Sequence, residues 1–189
     1  MNQQLSAQLE TSPYDVSTGT GLEAYVTSQL SSKTYDYAAN KALLKNYQVN
    51  PSSAKVDFVC KVLILSAMRI PSSDFLSLTY MIPTQMVSNE NIVTIQKCVD
   101  ALEKGKFRDF WQLYVPTQAL FADAVGFVEM VRLFIVSNLR DTFKNMPQGI
   151  FTQQLGLDNV SVVSFCDSNK FIEKVSIFHC YRLNNTQYS

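Results

Sequence analysis

Apolar residues recur along most of this chain at helical rather than alternating spacing, and turn-forming residues cut the pattern into short segments. Leu22, Tyr25, Val26 and Leu30 share one face of a helix predicted over 20–30. Asp36 can accept from the free N–H groups of a first turn, and so opens a second helix. Ala38, Ala39, Ala42, Leu43 and Leu44 give that helix a narrow, close-packing face. Asn50-Pro51 ends it, because Pro51 forces Asn50 out of the α region and has no N–H to donate. Ser52 or Ser53 is the expected cap of the next helix, which carries Val56, Val59, Cys60, Leu63, Ile64, Ala67 and Met68 at unbroken helical spacing.

The same punctuation continues downstream. Ile70-Pro71 stops the chain, and Ser72 or Ser73 restarts it ahead of Phe75, Leu76, Leu78, Met81 and Ile82, which Pro83 ends. Ser88 or Asn89 caps a helix carrying Ile92, Ile95, Val99 and Leu102, and Gly105 closes it. Phe107, Phe110, Trp111 and Tyr114 form a short aromatic helix before Pro116. Beyond Gly126, Phe127, Val131, Phe134 and Ile135 mark a longer helix to about Phe143, broken at Met146-Pro147. Residues 150–155 read as a short helix before Gly156, and Asp158 caps another that carries Val160, Val162, Val163 and Phe165. Only over 171–183 does the period change: Val175, Ile177, His179, Tyr181 and Leu183 alternate with the residues between them, as in a β-strand or hairpin.

Helix pairs therefore begin near 20, 53 and 89, a spacing of roughly 35 residues, within the range of tetratricopeptide and related repeats. Such pairs cannot bury their apolar stripes alone and must stack on neighbours. The predicted fold is mainly α. An N-terminal α-solenoid of helix pairs (HEAT- or TPR-like) over 19–125 follows a flexible lead-in over 1–18. A second domain over 126–189 has three helices followed by strands, the order of a winged helix.

Composition narrows the function. Hydrophobic residues make up 47% of the chain, too many for a disordered one. Lys plus Arg equals Asp plus Glu at 16 each, so the chain lacks the basic excess with which a free nucleic-acid binder engages phosphates. The cysteines Cys60, Cys98, Cys166 and Cys180 include no C-x-x-C pair, and His179 is the single histidine, which excludes the usual structural zinc patterns. The start MNQQLSAQLE has neither a basic opening nor an apolar run, so a reduced, cytoplasmic setting is expected. No apolar run approaches the roughly 18 residues of a membrane span.

Candidate chemistry is sparse. His179 beside Cys166, and Cys98 with Asp100 and Glu103, read as ordinary strand and helix residues rather than a base–nucleophile set. Gly19-Thr20-Gly21 lacks the preceding strand and following Lys of a phosphate loop. Lys97, Lys104, Lys106 and Arg108 form the densest basic cluster, diluted by Glu103 and Asp109; a solvated face and a contact to RNA or an acidic partner both stay open. Residues 158–169 contain no Lys or Arg, which argues against a DNA-reading helix there. The aromatics Phe107, Phe110, Trp111 and Tyr114 are read as core, with a peptide platform as the alternative. Val175, Ile177, His179 and Tyr181 are candidates for a partner-facing strand edge, able to extend a neighbour's sheet. No cofactor or metal is expected.

Several blocks also resemble a known family. Tyr35-Asp36, Ala39-Asn40, Ala42-Leu43-Leu44-Lys45, Tyr47 and Asn50-Pro51 come first. Pro71 with Asp74-Phe75, Leu78 and Met81-Ile82 comes next. Then come Leu102-Glu103, Phe107 and Phe110-Trp111-Gln112, and last Gly126-Phe127, Val131-Arg132 and Phe134-Ile135. In order and spacing, over about 22–136, these resemble the k-subunit family of eukaryotic translation initiation factor three. The resemblance implies a helical-repeat domain fused to a PCI-type winged helix. It implies a non-catalytic place in a multisubunit complex on the small ribosomal subunit, beside the l subunit. After Lys170 the chain departs from that family's pattern and ends sooner. Alternative readings are a related subunit of the proteasome lid or signalosome, and a stand-alone winged-helix nucleic-acid binder.

Overall fold

The computed structural model describes residues 3–12, 14–158, 161–162, 165, 172–174 and 177–179. Among these the fold is mainly helical. The helices are α1 (Gln3–Thr11), α2 (Val16–Ser32), α3 (Tyr37–Val49), α4 (Val56–Ala67), α5 (Asp74–Thr79), α6 (Glu90–Glu103), α7 (Phe107–Tyr114), α8 (Phe127–Thr142) and α9 (Gln148–Leu155). Three short strands, β1 (Asn145–Pro147), β2 (Ile172–Lys174) and β3 (Ile177–His179), form an antiparallel sheet in the order β1-β3-β2.

Side-chain caps set the starts of α3 and α6. The Asp36 carboxylate accepts from the backbone N–H of Ala39 at 3.1 Å, and the Asn89 side chain accepts from Asn91 N–H at 3.0 Å. Helix α4 starts differently from the expectation. Pro51–Ser53 are used in a 3-10 turn, and Lys55 occupies the cap position without a side-chain bond. At α5 the Ser72 hydroxyl accepts from Asp74 N–H at 3.2 Å. The expected lead-in contains α1, whose Leu5 is buried against the core, and α2 begins at Val16 rather than near Thr20. Gly19 and Gly21 lie inside that helix, not in a loop.

Helices α2, α4 and α6 stack in order, and α3, α5 and α7 return beside them; α3 also touches α5. Helix α4 sits in the middle, packed by α2, α5 and α6. That position explains why Val62, Leu65 and Ser66, outside its predicted stripe, are buried as well: a helix with neighbours on several sides needs a wider apolar face. Two polar networks bridge helices inside the stack. Gln29 and Asn40 exchange side-chain hydrogen bonds at 3.0 and 3.3 Å, and Gln29 Oε1 also accepts from Asp36 N–H at 2.7 Å. The buried Glu23 carboxylate accepts from the Tyr47 hydroxyl at 2.7 Å and from Lys55 Nζ at 2.6 Å, tying α2, α3 and the start of α4 together.

Helix α8 ends at Thr142, and Met146-Pro147 lie on β1 where the sequence suggested only a break. Gly156 closes α9 in the left-handed region, as its place in the sequence predicted. Asp158 accepts from Ser161 N–H at 2.8 Å, and hydrogen bonds from Ser161 hold its carboxyl below the usual carboxylate range.

Candidate interaction surface

The aromatic helix α7 joins the helix stack to the C-terminal elements. Phe107 and Phe110 are buried, and Trp111 and Tyr114 are half-buried. Rings of Phe110, Tyr114, Phe121 and Phe127 pack with centroids 4.7–6.5 Å apart. Trp111 Nε1 donates to Gln154 O at 2.8 Å, and the Arg132 guanidinium lies 5.5 Å from the centre of its ring. Arg132 Nε in turn donates to Leu155 O at 3.2 Å, so one arginine of α8 binds the end of α9 and the ring of α7 together. Burial pulls the Arg132 pKa down and pushes the Tyr114 hydroxyl up. The aromatic set is thus packing and a clasp between elements, not an open platform.

The basic cluster is partly spent. Lys104 pairs with Asp100 at 2.8 Å, and the Arg108 guanidinium donates to Gln153 on α9. Lys97 and Lys106 are exposed, and among the described residues neither has an ion pair. Two of the strand-edge candidates fall among the described residues. Ile177 and His179 lie on β3, the central strand, paired to β1 on one side and β2 on the other. A strand hydrogen-bonded on both sides has no edge to offer. Val175, Tyr181 and Cys166 fall outside the described residues. Cys60 and Cys98 are free and buried, and burial pushes both thiols up to about 11, far from nucleophilic use. Among the described residues no group of His, Cys, Asp and Glu could hold a metal ion, and no helix is long and apolar enough to cross a membrane.

One surface feature escaped the sequence reading. An open trough of about 690 Å³ runs between the α4–α5 corner (Ile70–Ser73), the end of α6 and the outer face of α8. Met130, Leu133, Phe134, Ser137, Asn138 and Asp141 of α8 line it, a spacing that puts them on one side of that helix. Val131, Ile135 and Leu139 occupy the opposite, core-facing side. The signal was present as a second apolar set on α8, Met130, Leu133 and Phe134.

Packed helices, joined through an aromatic helix to a smaller helix-and-sheet unit, make the described chain mainly helical. The sequence pattern of the CSN8/PSMD8/EIF3K family matches residues 53–175, and the chain belongs to that family. It is 33% identical over 135 residues to eukaryotic translation initiation factor 3 subunit K of Drosophila erecta, covering 71% of this chain and 61% of that protein. The Drosophila yakuba protein of the same name gives the same identity and coverage. The Dictyostelium discoideum protein of that name is 30% identical over 164 residues, covering 86% of this chain and 66% of that protein. The chain therefore spans less than two thirds of the length of these relatives.

Proposed function

We propose that this chain is a non-catalytic scaffold subunit of a cytoplasmic eukaryotic translation initiation factor three complex, working through protein–protein contacts during initiation on the small ribosomal subunit. The observation that carries the reading is its similarity to initiation factor 3 subunits K from a fly and a slime mould, over 71% and 86% of the chain. The helix pairs support it: they stack in the order α2–α4–α6 and leave an extended outer surface. We read 19–125 as the helical-repeat domain, HEAT- or TPR-like, with 1–18 as its lead-in. We read 126–189 as a PCI-type winged helix. The order α8–β1–α9–β2–β3 with sheet order β1-β3-β2 supports this, as does the Asp158-capped turn at Ser161.

In this reading a partner, the l subunit foremost, adds to the outer strand β1 or β2 rather than to β3. The exposed Lys97 and Lys106 are the cations left for RNA or an acidic neighbour. No cofactor takes part. The family name also covers subunits beyond initiation factor three, so a place in the proteasome lid or signalosome is the second reading.

The test is gradient sedimentation of a cytoplasmic extract. The tagged chain should travel in part with small ribosomal subunits and lose that association in high salt. Migration only with the proteasome lid or the signalosome would replace the first reading with the second. Salt-sensitive, sub-micromolar duplex binding by the isolated chain would favour a stand-alone nucleic-acid binder.

A further inference from the structure

We propose that the trough beside α8 is a docking groove for an amphipathic helix of a partner protein, one whose apolar ridge is flanked by Lys or Arg. Its floor is apolar, formed by Ile70, Pro71, Met130, Leu133 and Phe134. Leu133 is 49% exposed there, and Met130 and Phe134, partly buried against the core, flank it on the same face. A helix that buries one apolar side and leaves a second in water forgoes hydrophobic stabilisation that a partner can supply. The trough is partly open to solvent, a setting that suits the apolar side of a helix laid into it.

Charge selects the occupant. Glu103 and Asp141 are exposed members of the lining, and among the described residues no Lys, Arg or His lines the trough. Neither carboxylate has an ion pair among the described residues. Two neighbouring cations are engaged elsewhere, and a third is not in the lining. Lys104 is held by Asp100 at 2.8 Å, Arg69 lies over the Tyr35 ring at 5.7 Å, and Arg140 is not part of the lining. An apolar floor under two uncompensated negative charges favours a basic-flanked ridge and repels an acidic one. The scaffold reading enters only in that a subunit of an assembly has such partners to hand.

The probe is a fluorescein-labelled synthetic helix with a leucine stripe and lysine flanks, titrated against the full chain; its counterpart carries glutamate in place of lysine. The lysine form should bind at least about tenfold more tightly than the glutamate form. Glu103→Lys with Asp141→Lys should reverse that preference. Leu133→Ser should weaken both forms at least about tenfold while circular dichroism and the melting temperature stay unchanged, since this side chain is half in water. No binding of the lysine form, equal affinity for the two peptides, or a preference that survives the double charge reversal would overturn the proposal. Concentration-dependent self-association lost in Leu133→Ser would assign the groove to a second copy and overturn it too. Sedimentation with small ribosomal subunits reports on the proposed function separately, so either idea can fail alone.

Discussion

Gly156→Ala tests the clasp that joins α7 to α9. Gly156 sits at φ 60° and ψ 40°, where an L-residue is strained, and a Cβ there would lie 2.6 Å from Cδ2, 2.8 Å from Cε2 and 3.0 Å from Cγ of Trp111. The ring cannot withdraw cheaply, since its Nε1 is bonded to Gln154 O and Arg132 covers it. Left-handed strain costs about 1–2 kcal/mol and forcing an extra carbon into a packed contact about 1–3, so the loss should be about 2–5 kcal/mol. Gly105→Ala is the control: φ is 69°, and among the described residues no atom beyond its chain neighbours lies within 4 Å of a Cβ there. It should lose only the strain, about 1–2 kcal/mol. Urea unfolding followed by fluorescence suits both, because Trp111 is the single tryptophan and sits in the clasp. Equal losses in the two variants would refute the ring contact, and no loss in either would refute the backbone argument as well.

Asp36→Ala removes the cap of α3 and should cost about 1 kcal/mol in the same unfolding assay, with Asp36→Asn retaining most of it. Tyr47→Phe removes the hydroxyl that donates to the buried Glu23 carboxylate and should cost about 1.5–3 kcal/mol, read by thermal or urea denaturation. Burial raises the Cys60 and Cys98 thiols to about 11, above the ordinary 9.0. Their contribution to stability is therefore complete below about pH 9 and is lost as pH rises towards 11, with a slope of up to about 1.4 kcal/mol per pH unit per thiol. Unfolding measured under reducing conditions should show that decline, and Cys98→Ala should make it shallower.

Four helix ends were legible because one residue fixes each of them. Asp36 and Asn89 accept the free N–H groups of their own first turns, and Gly105 and Gly156 take the left-handed positions after α6 and α9. Ser52 and Ser53 misled because Pro51 starts a 3-10 turn that uses them up before α4 begins. Helix α1 was missed because Leu5 and Leu9 alone give too sparse a stripe to register. Strand β1 was missed because Asn145, Met146 and Pro147 carry no strand pattern; their conformation comes from pairing with β3. Alternation located β3 correctly, yet period alone cannot say that both of its sides are filled. The clasp and the trough were hidden for a similar reason, since each joins residues far apart in sequence. Glu23 could have been noticed: a carboxylate on the face shared by Val26 and Leu30 implies a buried partner.

The central claim is that this helix stack works as one part of a larger assembly. Its most direct test is the native mass and composition of the complex recovered through a tag on the chromosomal copy. The account predicts initiation factor three subunits in near-equal amounts with this chain, in a particle far heavier than 21.3 kDa. Recovery of the chain alone at that mass, or with only proteasome-lid or signalosome subunits, would contradict it.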